Sequence, residues 1–178
     1  MSGLSLRHAA SALCLHCGLC CNGVLFKDVE LRTRRELAVV AESDLPFRQS
    51  KTRTDILARI PQPCAALCDD LKCRVYKARP DRCRAFECAL FQEVTAGKRS
   101  PETALRIIRR ARRLVSKVES LLESIGDTRA NRPLRARFQS VQRRLETNGC
   151  GDDEAQAFAE LSEAMHTLNL LLGERFHP

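Results

Sequence analysis

Tryptophan is absent from this 178-residue chain, and tyrosine occurs once, at Tyr76. With so few large aromatic rings, a cysteine-rich segment can build only a thin apolar core, and small cores commonly need a disulfide or a metal as a staple. Long apolar runs are missing too. No window approaches the ~18 apolar residues of a membrane-spanning helix. Arg7 and His8 interrupt the stretch from Met1 to Leu13, which removes the apolar run of a secretory signal. Also absent are a glycine-rich phosphate loop, a paired-carboxylate motif and a serine or cysteine triad signature, so no familiar enzyme class is indicated. These absences predict a cytoplasmic protein with no membrane segment. In that compartment thiols stay reduced, and clustered cysteines bind metal rather than forming disulfides.

What the chain has instead is cysteine, ten in all. Cys14, Cys17, Cys20 and Cys21 fall in eight residues with the spacing C-x2-C-x2-C-C, and Cys64, Cys73, Cys83 and Cys88 follow. Thiolates are soft anionic ligands that select zinc or iron–sulfur centres over hard cations. Gly18 can take positive φ, which lets the first run fold back so that its thiols converge. The tandem pair Cys20-Cys21 is awkward for a mutual disulfide. The eight cysteines are therefore the candidate metal ligands, and Cys150 in a distant glycine turn is read as a surface thiol. His16 lies inside the first run and could ligate, although eight thiols already suffice.

The rest of the chain predicts a mainly α protein. A small irregular cysteine-rich metal-binding domain occupies residues 1–97, and an antiparallel three-helix bundle occupies residues 98–178. Thr33 and Glu36 fit a capping box that opens a helix through about Ala41. Val24–Phe26 and Val29–Leu31 look extended, residues 42–63 read as irregular, and a short helix fits Thr54–Ile60. Ser100-Pro101 is a strong helix start. Ala104, Ile108, Ala111, Val115, Val118, Leu122 and Ile125 then recur at alternating steps of four and three, up to Gly126. Leu134, Phe138, Val141 and Leu145 form a second seam, and Phe158, Leu161, Met165, Leu168 and Leu172 a third. Three such helices with short connections pack as a bundle.

Zinc sites usually join two separated cysteine knuckles around one tetrahedral ion, with Zn–S near about 2.3 Å. The run at Cys14, Cys17 and Cys20 has instead the spacing of a bacterial ferredoxin, completed by a remote fourth ligand. Cys20 and Cys21 are adjacent, so their side chains diverge and suit two metals or two irons of one cluster. This spacing favours an iron–sulfur cluster, of the 4Fe–4S kind, over zinc. A thiolate-bound centre keeps net negative charge, which Arg74, Arg79, Arg82 and Arg84 are placed to neutralise. Tyr76 and Phe86 are read as an apolar wall of the site.

Taken in order, Cys14, Cys17, Cys20, Cys21, Cys64, Cys73-Arg74-Val75-Tyr76, Arg79-Pro80, Cys83-Arg84, Phe86 and Cys88 resemble the YkgJ-type cysteine-cluster family. That family carries a CxxCxxCC signature and is described as zinc- or iron-chelating. The resemblance spans roughly residues 14–90. It departs after Cys64, where Ala65-Ala66-Leu67 replaces the usual Pro-Phe-Leu, and it leaves Cys68 as an extra thiol. Either Cys64 or Cys68 can therefore serve that arm. The flagellin lysine N-methylase relatives of this family imply an iron–sulfur centre. They also imply an alternative activity, methyl transfer from S-adenosylmethionine to lysine.

Charge is uneven. Residues 98–147 carry 14 Lys/Arg against 5 Asp/Glu, whereas residues 148–178 carry 1 against 6. Arg106, Arg109, Arg110, Arg113 and Lys117 share one helical face, to which Arg129, Arg132, Arg135, Arg137, Arg143 and Arg144 add. A solvated face is the plain reading. An adaptor surface for nucleic acid or an acidic partner is the functional one. The leading expectation is a metal-binding protein with a structural or redox role.

Overall fold

The computed structural model describes residues 3–51 and 55–177. Among them the chain is mainly helical, with seven α-helices and one small sheet. Contacts group it into two compact units, one of residues 18–87 and the other of residues 1–17 with 88–178.

The first unit contains β1 (Asp28–Leu31), α2 (Arg34–Glu42), β2 (Arg48–Gln49), β3 (Ala58–Pro61), one 3-10 turn (Tyr76–Ala78) and α3 (Asp81–Ala85). The strands pair antiparallel in the order β1-β3-β2. Val29 lies opposite Ile60 and Leu31 opposite Ala58, and all four are buried. On the other face Arg59 Nη1 lies 2.8 Å from Asp28 Oδ1 and 3.2 Å from Glu30 Oε1. Cross-strand pairs of this kind hold a short sheet in register. The helix expected over Thr54–Ile60 does not form. Residues 58–60 are strand instead, because Ala58 and Ile60 alternate with Arg59 in a period of two; Thr54 lies outside the described residues. Residues 42–63, expected to be irregular, thus hold both β2 and β3.

α2 begins as its sequence predicts. Thr33 Oγ1 accepts from the Glu36 N–H at 3.1 Å, and Glu36 Oε2 accepts from the Thr33 N–H at 3.0 Å. The core above the sheet is small. It consists of Val29, Leu31, Val40, Leu45, Ala58, Ile60 and Ala66, with Leu37, Phe47, Val75, Cys64, Cys73 and Cys83 half-buried against it.

The second unit contains α1 (Gly3–Cys14), α4 (Ala89–Thr95), α5 (Pro101–Ser124), α6 (Leu134–Asn148) and α7 (Asp152–Arg175). Ser100 Oγ accepts from the Thr103 N–H at 3.2 Å and Pro101 opens α5, where a proline's missing N–H loses nothing. All seven seam residues of α5 are buried. Gly126, at φ 83°, ends the helix in a conformation that side chains with a Cβ avoid. α5 lies along α7, and α6 packs on α5. This unit also takes in α1 and α4, which pack on one another and on α5 through Ala10, Leu13, Leu90 and Val94.

Arg137 was expected to join the basic surface, but it is buried at 4 % exposure. Its Nε donates to Asp127 Oδ2 at 2.7 Å, and Arg129 Nε donates to Asp127 Oδ1 at 2.7 Å. Arg144 donates to the Ile125 carbonyl at 2.7 Å and pairs with Glu154 at 3.0 Å. Three of the six arginines added to the patch thus serve the α5–α6 joint. The buried Asp127 carboxylate needs both guanidinium partners, since a lone buried charge is far more costly than a paired one.

Burial pushes the Asp127 carboxyl up, but the hydrogen bonds and charges of Arg137 and Arg129 outweigh it and hold the group below the ordinary carboxylate range. Its stabilising contribution is therefore complete above about pH 4 and is lost as pH falls through the depressed folded-state value. Asp127→Asn should destabilise the helical unit by about 3–5 kcal/mol at neutral pH, because it leaves buried Arg137 unpaired. Urea titrations monitored by circular dichroism should show this gap narrowing below about pH 4. An unchanged gap would mean that the ion pair is not the cause.

Candidate metal centre

The chain reaches the site through two arms. The first begins where α1 ends. The Cys17 N–H donates to the Cys14 carbonyl at 3.3 Å, and after Gly18 the N–H of Cys21 donates to the Gly18 carbonyl at 2.9 Å. Gly18 sits at φ 69°, and a Cβ on it would meet Leu71 Cδ2 at 3.1 Å. Glycine takes this φ without strain and leaves room for the Leu71 side chain, so the tip of the second arm closes onto the turn of the first.

The second arm is a hairpin. Leu67 bridges Cys73, the Arg74 N–H donates to the Ala66 carbonyl at 2.8 Å, and the Cys68 N–H donates to the Lys72 carbonyl at 2.9 Å. One backbone hydrogen bond joins the arms directly, from the Cys64 N–H to the Cys21 carbonyl at 2.7 Å. Cys83 arrives on α3, which Pro80 precedes as N-cap.

Cys64, Cys73 and Cys83 all pack against the small core, and the charges of all three act on Cys21. Burial, reinforced by Cys64, Cys83 and Cys73, pushes the Cys21 thiol up to about 12, while the Arg79 guanidinium opposes the rise. Burial, then Cys64 and Cys73, pushes Cys83 up to about 11, again against Arg79. Cys64 is raised chiefly by burial. Four thiols from distant points of the sequence thus gather in residues 18–87.

Cys20 belongs to the same unit and is half-buried, and Cys68 is exposed on the hairpin. Cys14, Cys17 and Cys88 belong to the helical unit. There Cys88 Sγ accepts from the Phe91 N–H at 3.4 Å and caps α4, and burial raises its thiol. His16 lies in the turn after α1, where its carbonyl accepts from Arg112 at 3.5 Å. Cys150 is exposed. None of the ten cysteines is disulfide-bonded.

The four arginines differ. Arg79 is the one whose charge reaches the thiols. Its guanidinium lies 3.8 Å over the Tyr76 ring and its Nε donates to the Tyr76 carbonyl at 3.1 Å. Arg84 donates to the carbonyls of Arg79 and Lys77 at 2.7 and 2.6 Å, which holds the loop that presents Arg79. Arg82 acts electrostatically on Glu30. Arg74 contributes its backbone N–H to the hairpin. Tyr76, expected in an apolar wall, is 46 % exposed and serves as the platform for Arg79. Phe86 meets Phe26 edge-on at 4.8 Å.

Two supporting residues escaped the sequence reading of the site. Gln62 is 2 % exposed, its side-chain amide is hydrogen-bonded to the Cys64 sulfur, and its Oε1 has no partner among the described residues. Glu36 does more than cap α2. Its Oε2 accepts from the N–H groups of Arg32 and Thr33, and its Oε1 accepts from the Asp81 N–H at 3.0 Å, the first residue of α3. Burial alone would raise the Glu36 carboxyl, but these bonds keep it below its ordinary range.

The donor chemistry fits a soft metal, because half-buried sulfurs on opposed arms lie beside one cation. As placed, no three His, Cys, Asp or Glu side chains among the described residues have the spacing to share one ion. The four thiols are in electrostatic range without being drawn into a closed coordination sphere.

Residues 13–104, just over half of the chain, match a family model described as "CxxCxxCC: Putative zinc- or iron-chelating domain". The chain belongs to this CxxCxxCC family. No curated protein and no solved structure matches it significantly. The CxxCxxCC match covers both arms and α3, and its description supports a metal cofactor. Among the described residues no helix is long and apolar enough to cross a membrane.

Glu36→Ala should destabilise the 18–87 unit by about 2–4 kcal/mol, through loss of the cap and an orphaned Asp81 N–H. Glu36→Gln, which keeps one acceptor oxygen, should lose less. Denaturant unfolding compares the two, and equal losses would show that the bond to α3 contributes nothing.

Proposed function

We propose that this protein binds metal through a four-thiolate centre made by Cys21, Cys64, Cys73 and Cys83, in a structural or redox role. The observation that carries the reading is the gathering of these four half-buried thiols, Cys21 from the first arm, Cys64 and Cys73 from the hairpin and Cys83 from α3, beside one small core and within each other's fields. Within that arm Cys64 is the ligand and Cys68 is not, since Cys64 bonds back to Cys21 and packs on the core while Cys68 is exposed.

The favoured occupant is an iron–sulfur cluster, which four cysteine thiolates hold; the ferredoxin-like spacing of Cys14, Cys17 and Cys20 that suggests a cluster in the sequence involves none of these four ligands. A second reading, zinc, is supported by a set of four thiols drawn from the first arm, the hairpin and α3, which suits a closed tetrahedral ion. When bound, the centre supplies either a rigid cross-link or a one-electron redox site. The chain's own residues have separate tasks. Gly18 lets the arms close, Gln62 holds the Cys64 sulfur, Glu36 fixes the helix that carries Cys83, and Arg79 offsets thiolate charge.

Anaerobically purified protein should contain stoichiometric metal. A broad absorbance band near about 400 nm would assign a cluster, and stoichiometric zinc without colour would assign zinc. Cys73→Ser should abolish most of the metal and Cys150→Ser none of it. With Cys21 pushed up to about 12 and Cys83 to about 11, these thiols are protonated near neutrality, so loading must expel protons. Apparent zinc affinity should rise about 100-fold from pH 6 to 8 for each proton displaced. Metal-free protein from anaerobic preparations, or affinity independent of pH, would contradict the proposal.

A further inference from the structure

We propose that the exposed face of α5 docks on the phosphate backbone of duplex nucleic acid, an inference independent of the metal centre. Arg106, Arg109, Arg110, Arg113 and Lys117 are all exposed on one side of the helix, opposite the buried seam. From Thr103 to Val118 the sequence contains no Asp or Glu. Arg106 donates to Thr103 Oγ1 at 3.0 Å, and none of the five pairs with a carboxylate among the described residues.

Like charges three and four residues apart repel and destabilise a helix. A face needed only for solubility would alternate signs; the acids that open α7, Asp152, Asp153 and Glu154, are by contrast favoured by the dipole at that helix N-terminus. α5 instead keeps its repulsion over a span of about 16 Å. An external polyanion removes that repulsion.

The composition selects the partner. Four of the five groups are guanidinium forks, which match phosphate oxygens in pairs. A protein partner would ask for an apolar or aromatic anchor in the middle of the contact. The exposed large hydrophobic residues of the described chain are Leu15, Leu57, Tyr76 and Leu170, and none is on α5. Base stacking on single strands would need aromatic rings, and the face has none. α5 carries Glu102, Glu119 and Glu123 outside this segment, but between Thr103 and Val118 its exposed charges are all cationic, which suits the regular phosphates of a duplex with no sequence preference.

The test is fluorescence anisotropy of a labelled 20-base-pair duplex of arbitrary sequence, titrated with the full-length, metal-loaded protein between 50 and 200 mM salt. Five phosphate contacts predict a log–log slope near −4.5, so binding falls by about 10²–10³-fold across that range. Arg110→Gln/Arg113→Gln should reduce the slope by about 2 with helicity unchanged. Arg109→Gln/Lys117→Gln, an independent pair on the same face, should do the same. No binding at 50 mM salt would overturn the proposal, as would a slope unchanged in both variants. Displacement of the duplex by poly-glutamate at matched charge would also overturn it and point to an acidic protein instead.

Discussion

Seven buried side chains, none larger than leucine or isoleucine, make up the core on which residues 18–87 close. That is little apolar mass for a segment of this size, and units below about 70–80 residues rarely hold together on such a core alone. The strands are two and four residues long, and the helices of this unit run to nine residues at most. What joins the parts is a few long-range polar links. These are the Cys64 N–H to Cys21 carbonyl bond, the Glu36 bond to Asp81, and the Arg59 pairs across the sheet. The first two reach the segments that carry Cys21, Cys64 and Cys83, and the Arg59 pairs hold the opposite face of the sheet. A soft metal on those thiols would add the missing cohesion to the segments that the first two links already reach, and metal binding would then be coupled to folding.

The helical unit rests on different physics. Its seams repeat along α5, α6 and α7, so burial is distributed and no staple is required. The Asp127–Arg137–Arg129 group fixes the turn between α5 and α6 by pairing charges that could not be buried singly. Such a unit can keep its structure while the cysteine arms change theirs.

Periodicity and capping chemistry were legible in the sequence. The α5 seam, its Ser100-Pro101 start, its Gly126 stop and the Thr33/Glu36 box could be read because each is a local rule about backbone donors and apolar faces. Short elements were not. β3 is only four residues long, and its single alternation was no stronger than the helical reading of the same stretch. α4 carried no distinctive cap signal, since the atom that caps it is a cysteine sulfur. The burial of Arg137 contradicts what a lone arginine in a basic stretch suggests, and only the placement of Asp127 ten residues away explains it. In the candidate site the cysteine spacing announced the chemistry. The links that organise it are long-range, as between Glu36 and Asp81, and no spacing rule contains them. Gln62 carries no motif at all, and its role comes from being buried beside Cys64.

The central claim is that sulfur–metal bonds hold residues 18–87 in shape. Native-state hydrogen exchange on metal-loaded and metal-stripped protein, both kept reduced, tests it most directly. The account predicts that stripping removes amide protection throughout β1, β3 and α3 while α5 and α7 keep theirs. Equal protection of β1, β3 and α3 in the two forms would contradict it.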